Sequence, residues 1–206
     1  MIEFIIGTSL AASAGLNAWM PLFLLGLADR LLPAMELPPA WSWLSGDIAL
    51  WVVGVLLVLE IVADKIPALD SVNDVVQSIL RPAAGGIAFG AGSGAQTIAV
   101  DDPTSFFSDN AWVPVAVGIA IALVVHVAKA TTRVAANATT GGLAAPVLST
   151  AEDGASFALA AAAILVPVLA AVLLVVLAIA VIAIIRRRSR RRRERDADQS
   201  SAGLQT

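Results

Sequence analysis

The chain has 206 residues, 58% of them apolar and 14% charged, with a mean hydropathy of +0.85. Soluble domains carry about 25% charged residues, so an ordinary soluble fold is excluded and an integral membrane protein is expected. The single His and the absence of Cys exclude disulfide frameworks, thiol catalysis and multi-histidine metal sites. The net charge of −3 conceals an asymmetry. Residues 186–206 hold eight Arg against Glu194, Asp196 and Asp198, a net of +5, which leaves −8 on residues 1–185.

Hydropathy predicts an all-α, polytopic transmembrane bundle of about five apolar segments. The first runs from Ile2 to Leu32 and carries Gly15, Asn17 and Pro21. Glu3 stands where a signal peptide would be basic, and no Lys or Arg precedes Arg30, which argues against a cleaved leader. The connector 33–46, with three Pro and two Trp, suits the membrane interface. The second segment is Ile48–Ala63. After it, DKIPALDSVNDVVQSILRP leaves room for a short amphipathic helix over Val72–Leu80. The third segment is Ala83–Val100, with GAGSGAQT in it. That stretch lacks the closing Gly-Lys-Ser/Thr of a phosphate loop.

An acidic connector, 101–110, leads to the fourth segment, Ala111–Ala128, and a small-residue loop spans Thr139–Asp153. Ser149 with Glu152 reads there as an N-cap and its capping-box partner. The fifth segment, Phe157–Ile185, contains Pro167, which is expected to kink it. The first and fifth segments are too long for one perpendicular crossing and are expected to be broken, tilted or re-entrant. Composition divides the chain into a membrane domain, 1–185, and an Arg-rich, disordered tail, 186–206.

Those eight arginines behind a membrane span place the C-terminus in the cytoplasm of a multi-pass inner (plasma) membrane protein. They also attract anionic lipid, by roughly 1 kcal/mol per residue. No aromatic residue is interleaved among them, which argues against nucleic acid. Topology then meets a conflict. Lys65, Arg81, Lys129 and Arg133 put the connectors 64–82 and 129–153 in the cytoplasm, but five full crossings would push the tail outside. Either one long segment makes no net crossing or those cations belong to a polar site. A candidate two-helix repeat sets Gly54 on Gly118, Lys65 on Lys129 and Asn73 on Asn137, and AASAGLNA on AAGGIAFG. It implies parallel symmetry; chance similarity of alanine-rich helices is the competing reading.

Parity of crossings brings the C-terminal ends of segments two and four to one side. Glu60 and Asp64 share a helix face, and His126, Lys129, Arg133 and Asn137 form a stripe on another. Pairing between the two faces is expected. Ionisable groups inside spans often mark ion or solute paths, whereas snorkelling and plain ion pairing are the structural alternatives. Asn17, half way along an apolar run, marks either a break whose freed backbone groups line a cavity or a close helix contact.

AASAGLNAWMPLFLLGL, LEIVADKIPALDSVNDVVQSILRPAAG, HVAKATTRVAAN and STAED together resemble the domain-of-unknown-function family numbered 4126, small bacterial polytopic membrane proteins. The resemblance covers roughly residues 5–185, and DKIPALDSVND is its most specific part. It implies no reaction, substrate or cofactor. It does imply that Asn17, Asp64, Lys65, Pro67, Asp70, Asn73, Asp74, Arg81, Lys129, Arg133, Glu152 and Asp153 define the family.

The candidate polar site therefore comprises Asn17, Glu60, Asp64, Lys65, Asp70, Asn73, Asp74, Arg81, His126, Lys129, Arg133 and Asn137, with no metal or cofactor expected. A small transporter or channel-like protein for an ion or polar solute is the leading expectation. A structural or assembly protein, with or without self-association, is the first alternative. The second is a membrane enzyme on a lipid-linked substrate, with Asp70, Asn73, Asp74 and Arg81 at headgroups. No protease, serine-elbow or paired-His motif supports an enzyme.

Overall fold

The computed structural model describes residues 1–97, 100, 110 and 112–203, with side chains for 1–66, 75–97, 100, 110 and 112–186. Seven α-helices occur among the described residues: α1 (Ile2–Leu16), α2 (Trp19–Leu31), α3 (Asp47–Ala63), α4 (Pro67–Ser93), α5 (Trp112–Thr140), α6 (Ala145–Leu165) and α7 (Pro167–Gly203). A 3₁₀ turn covers Ser42–Ser45, and the only pairings outside helices among these residues are the isolated bridges Glu36–Gln96 and Thr97–Val100.

Proline and asparagine cut the long apolar runs. Ile66 and Val166, each before a proline, take non-helical backbone (φ −102°, ψ 107° and φ −145°, ψ 76°), and Pro67 and Pro167 then open α4 and α7. Proline disfavours helix in the residue before it and is pre-set for the first helical position. Pro167 therefore starts a new helix rather than kinking one. Asn17 (φ −144°, ψ 119°) makes the other cut, between α1 and α2. Gly141 and Gly142, at φ 61° and 91°, end α5 in the left-handed conformation that glycine adopts without strain.

Contacts fix the direction of each helix. Gly7 of α1 lies against Phe89 and Ser93 at the end of α4, and Gly92 lies against Ile6 and Leu10. Leu16, at the other end of α1, meets Lys129 of α5. The start of α2 meets Glu60 of α3, and its last turn pairs Arg30 with Asp47 at the start of α3. Just beyond, Glu36 bridges Gln96. Thus α1 and α2 form a hairpin with both outer ends at the Gln96 end of the bundle. Its tip, Asn17–Ala18, is buried at the level of Glu60 and Lys129. From Lys129, α5 continues to Thr140, about 16 Å beyond the tip at 1.5 Å per residue. The hairpin enters the bundle without crossing it.

Helices α3 to α7 alternate in direction. Leu173, Leu174 and Leu177 of α7 pack with Ala12, Leu16, Val125 and Leu159, so α7 runs back past α6 to the end opposite Gln96. Lys65, Lys129, Arg133 and Arg186 all lie toward that tail end, and Arg81 stands midway along α4. The conflict between charge and crossing number thereby resolves: segment one makes no net crossing, and segment five is two helices, α6 and α7. Three helical stretches, Trp112–Thr140, Ala145–Leu165 and Pro167–Arg186, are long and apolar enough to cross a membrane. Apolar side chains cover the outside, including Ile48, Trp51, Val55 and Val62 on α3 and Val168, Val175 and Ile179 on α7.

Glycine lets the inner helices touch. A Cβ on Gly118 would stand 2.2 Å from the Gly85 carbonyl oxygen, and one on Gly15 would stand 2.7 Å from that of Ala122. Such small-residue contacts replace the hydrophobic drive that lipid removes.

Several sequence expectations are corrected. The predicted short helix over Val72–Leu80 and much of segment three are one helix, α4, which runs through Pro82 and ends at Ser93. Ser149 is no N-cap, because α6 begins at Ala145 with Pro146 in its first turn; the Thr139–Asp153 loop shrinks accordingly. The two-helix repeat fails on direction, since α1 and α4 pack together running oppositely.

Candidate functional site

The site begins at the hairpin tip, where breaking the helix frees backbone groups at both new ends. Asn17 Oδ1 accepts from the N–H groups of Trp19 and Met20 at 3.2 and 3.1 Å, capping α2. The Ala18 N–H donates to Glu60 Oε2 at 3.1 Å, and Lys129 Nζ donates to the Leu16 carbonyl at 2.6 Å. A carboxylate thus faces the positive end of α2 and an ammonium faces the negative end of α1, the favourable arrangement for both helix dipoles. Asn17 Nδ2 donates to Asp153 Oδ1 at 3.0 Å, tying the tip to α6. One turn back, Ser13 and Ser156 each donate to the other's backbone carbonyl, at 2.9 and 3.0 Å, and hold α1 against α6.

Around the tip lies a network of buried charges from four helices. Glu60 Oε1 accepts from Arg81 Nη2 at 2.9 Å. Asp64 Oδ2 gathers three cations: Arg133 Nη2 at 3.0 Å, Lys129 Nζ at 3.1 Å and Arg81 Nη2 at 3.5 Å. Glu152 Oε2 pairs with Lys129 Nζ at 3.1 Å and also with the Arg133 guanidinium. At the margin, Lys65 Nζ reaches Asp153 Oδ2 at 3.2 Å. His126 bridges Arg81 Nη1 through Nδ1 and Ser78 Oγ through Nε2, both at 3.1 Å. Asp64 and Arg81 are fully buried, and Arg133 is 1% exposed.

Helical spacing explains the convergence. Glu60 and Asp64 are one turn apart on α3, and His126, Lys129 and Arg133 follow at three and four on α5, so each set projects from one face. The pairing expected between those faces is present. Four acids, Glu60, Asp64, Glu152 and Asp153, meet four bases, Lys65, Arg81, Lys129 and Arg133. The groups closing on each carboxylate are cations and N–H donors, which suits ion pairing and not metal ligation. Removing one partner from a buried pair costs about 3–5 kcal/mol, because the other charge is left stranded.

The structure brings together Asn17, Glu60, Asp64, Lys65, Arg81, His126, Lys129 and Arg133. Asn137, one turn beyond Arg133, joins none of the described contacts of the network, and its Oδ1 is buried without a partner. Asp70, Asn73 and Asp74 sit in the first turns of α4, and their side chains lie outside the described residues. Reading the residues for charged faces missed Glu152 and Asp153 as network members, since a capping box explained the first. Their signal was two adjacent acids about one turn ahead of Ser156 in an otherwise apolar stretch.

Comparison with known proteins follows the same residues. No curated protein and no solved structure matches the chain. The family model described as domain of unknown function DUF4126 matches residues 4–187, taking in the hairpin, the network and all of α6. This helical membrane protein belongs to the DUF4126 family.

Proposed function

We propose that the chain carries an ion or a small polar solute across the plasma membrane, along a path containing the hairpin tip and its charge network. The tip supports this reading most directly: a helix broken inside the bundle, with Ala18 N–H on Glu60 and the Leu16 carbonyl on Lys129. Transport folds place discontinuous helices at mid-membrane and use their ends to hold charged groups. Here two side chains of the chain hold those ends, so a passing solute would exchange with them.

The test is flux in proteoliposomes, with Na⁺, K⁺, H⁺, glycine and glycerol as probes. At least one is expected to move through the wild-type chain and to stop in Glu60→Gln. If no probe moves while the network still stabilises the fold, the chain is a structural or assembly protein. The equal count of four acids and four bases favours that second reading, because a fully paired cluster needs no guest. Exposed apolar α3 would then suit self-association.

The proposed orientation sets the tail in the cytoplasm, with the arginines against anionic lipid. Lys65 and Arg186, both toward the tail end, support it. A reporter that fluoresces only in the cytoplasm, fused after Thr206, is expected to be bright. One fused ahead of Met1 is expected to be dark, since the hairpin returns the chain to its starting side. A dark tail fusion would overturn the orientation.

A further inference from the structure

We infer that the charge network stands at the inner end of a water-accessible chamber, open at the tail end of the bundle and closed at the Gln96 end. The carrying observation is a set of buried polar atoms without partners: Gln77 Oε1, Asn137 Oδ1 and Ser149 Oγ. Each lies about one helical turn from a network member, always on the tail side. Gln77 precedes Arg81 by four residues on α4, which runs away from the tail end. Asn137 follows Arg133 by four on α5, which runs toward it. Ser149 precedes Glu152 by three on α6, which again runs away.

Asn137 and Ser149 thus lie beyond the charges on α5 and α6, and Gln77, next to the Ser78 that bonds His126, borders the network on α4. Gln77 is 2% exposed and Ser149 fully buried, yet buried polar groups are hydrogen-bonded in roughly 90% of cases or more. Water satisfies such groups where a site is polar and offers about two to four partners. The adjoining carboxylates and guanidinium groups provide them, and Arg81 Nε, itself buried and unpartnered, points to the same need.

On the Gln96 side of the network the helix contacts are tight. The α4 and α5 backbones touch at Gly85 and Gly118, α1 meets α5 at Gly15 and Ala122, and Leu10 covers Gly92. Phe89 is fully buried there. Ser13 and Ser156 satisfy each other across α1 and α6. Thr8 and Ser9 are buried hydroxyls without partners on the far side of that seal, separated from the network by the serine pair. The chamber therefore admits water and small polar solutes from one face only. This follows from helix register and does not rest on the transport reading.

The chain has no cysteine, so single cysteines report without background. Ser149→Cys, Asn137→Cys and Ser9→Cys, with the exposed references Leu143→Cys and Ala40→Cys, would be treated with a charged, membrane-impermeant methanethiosulfonate. The reagent goes on right-side-out and on inverted vesicles. Ser149→Cys and Asn137→Cys are expected to label from the face that labels Leu143→Cys, and Ser9→Cys not to label from that face. Asn137 is partly exposed, so its variant keeps the test alive if Ser149→Cys does not fold. Silence at both positions, or labelling from the Ala40→Cys face, would overturn the chamber. One-sided labelling without flux of any probe would keep the chamber and remove the transport reading.

Discussion

Asp64→Asn is expected to destabilise the chain by about 3–5 kcal/mol, the usual effect of stranding a buried charge. Arg133, Lys129 and Arg81 all lie within 3.0–3.5 Å of one Asp64 oxygen. Without that carboxylate, three cations face only Glu60 and Glu152. Water cannot rescue them as it would at a surface, because Arg81 is fully buried and Lys129 only 4% exposed. Lys129→Gln should cost less, since its amide can still donate toward the Leu16 carbonyl. The double substitution Asp64→Asn with Lys129→Gln restores the count of charges and should recover part of the loss. A coupling of about 0.5–3 kcal/mol is expected for residues in contact, read from unfolding in mixed micelles by tryptophan fluorescence. Strict additivity would mean that the two groups do not act as a pair.

The sequence carries this pairing because helical spacing and crossing parity are local properties. Glu60 with Asp64, and His126 with Lys129 and Arg133, are legible as faces from spacings of three and four alone. The membrane class is equally legible, from hydropathy and the arginine run. The hairpin was harder to read. Asn17 signals a break, but whether a broken apolar run crosses or turns back depends on what receives its freed groups. Those receivers, Glu60 and Lys129, are 43 and 112 residues away. Glu152 and Asp153 escaped for a similar reason. An acid three residues after a serine satisfies a capping rule, and only the earlier helix start at Ala145 removes that explanation. Pro167 shows the limit of a local rule from the other side: the residue breaks the helix as expected, but the chain reverses there where a kink was expected.

Substitutions at Asn17 should separate its two jobs. Its oxygen caps α2 through Trp19 and Met20, and its amide nitrogen donates to Asp153. Asn17→Ala removes both. Loss of such a cap costs about 0.5–2 kcal/mol, and a buried partner left unpaired adds about 1–3 kcal/mol. Asn17→Ser keeps a hydroxyl able to cap and should fall between wild type and Asn17→Ala. Asn17→Asp keeps the cap but sets a carboxylate against Asp153 Oδ1, where the amide donated at 3.0 Å. It should be the worst of the three at neutral pH, and Asp153→Asn in the same chain should relieve it. The order of unfolding midpoints, wild type above Ser above Ala above Asp, checks the argument. If Asn17→Asp were instead as stable as wild type, Asp153 would not be the residue holding the tip. The hairpin would then owe its depth to Glu60 and Lys129 alone, whose grip on the two freed helix ends is sensitive to Glu60→Gln and indifferent to position 17.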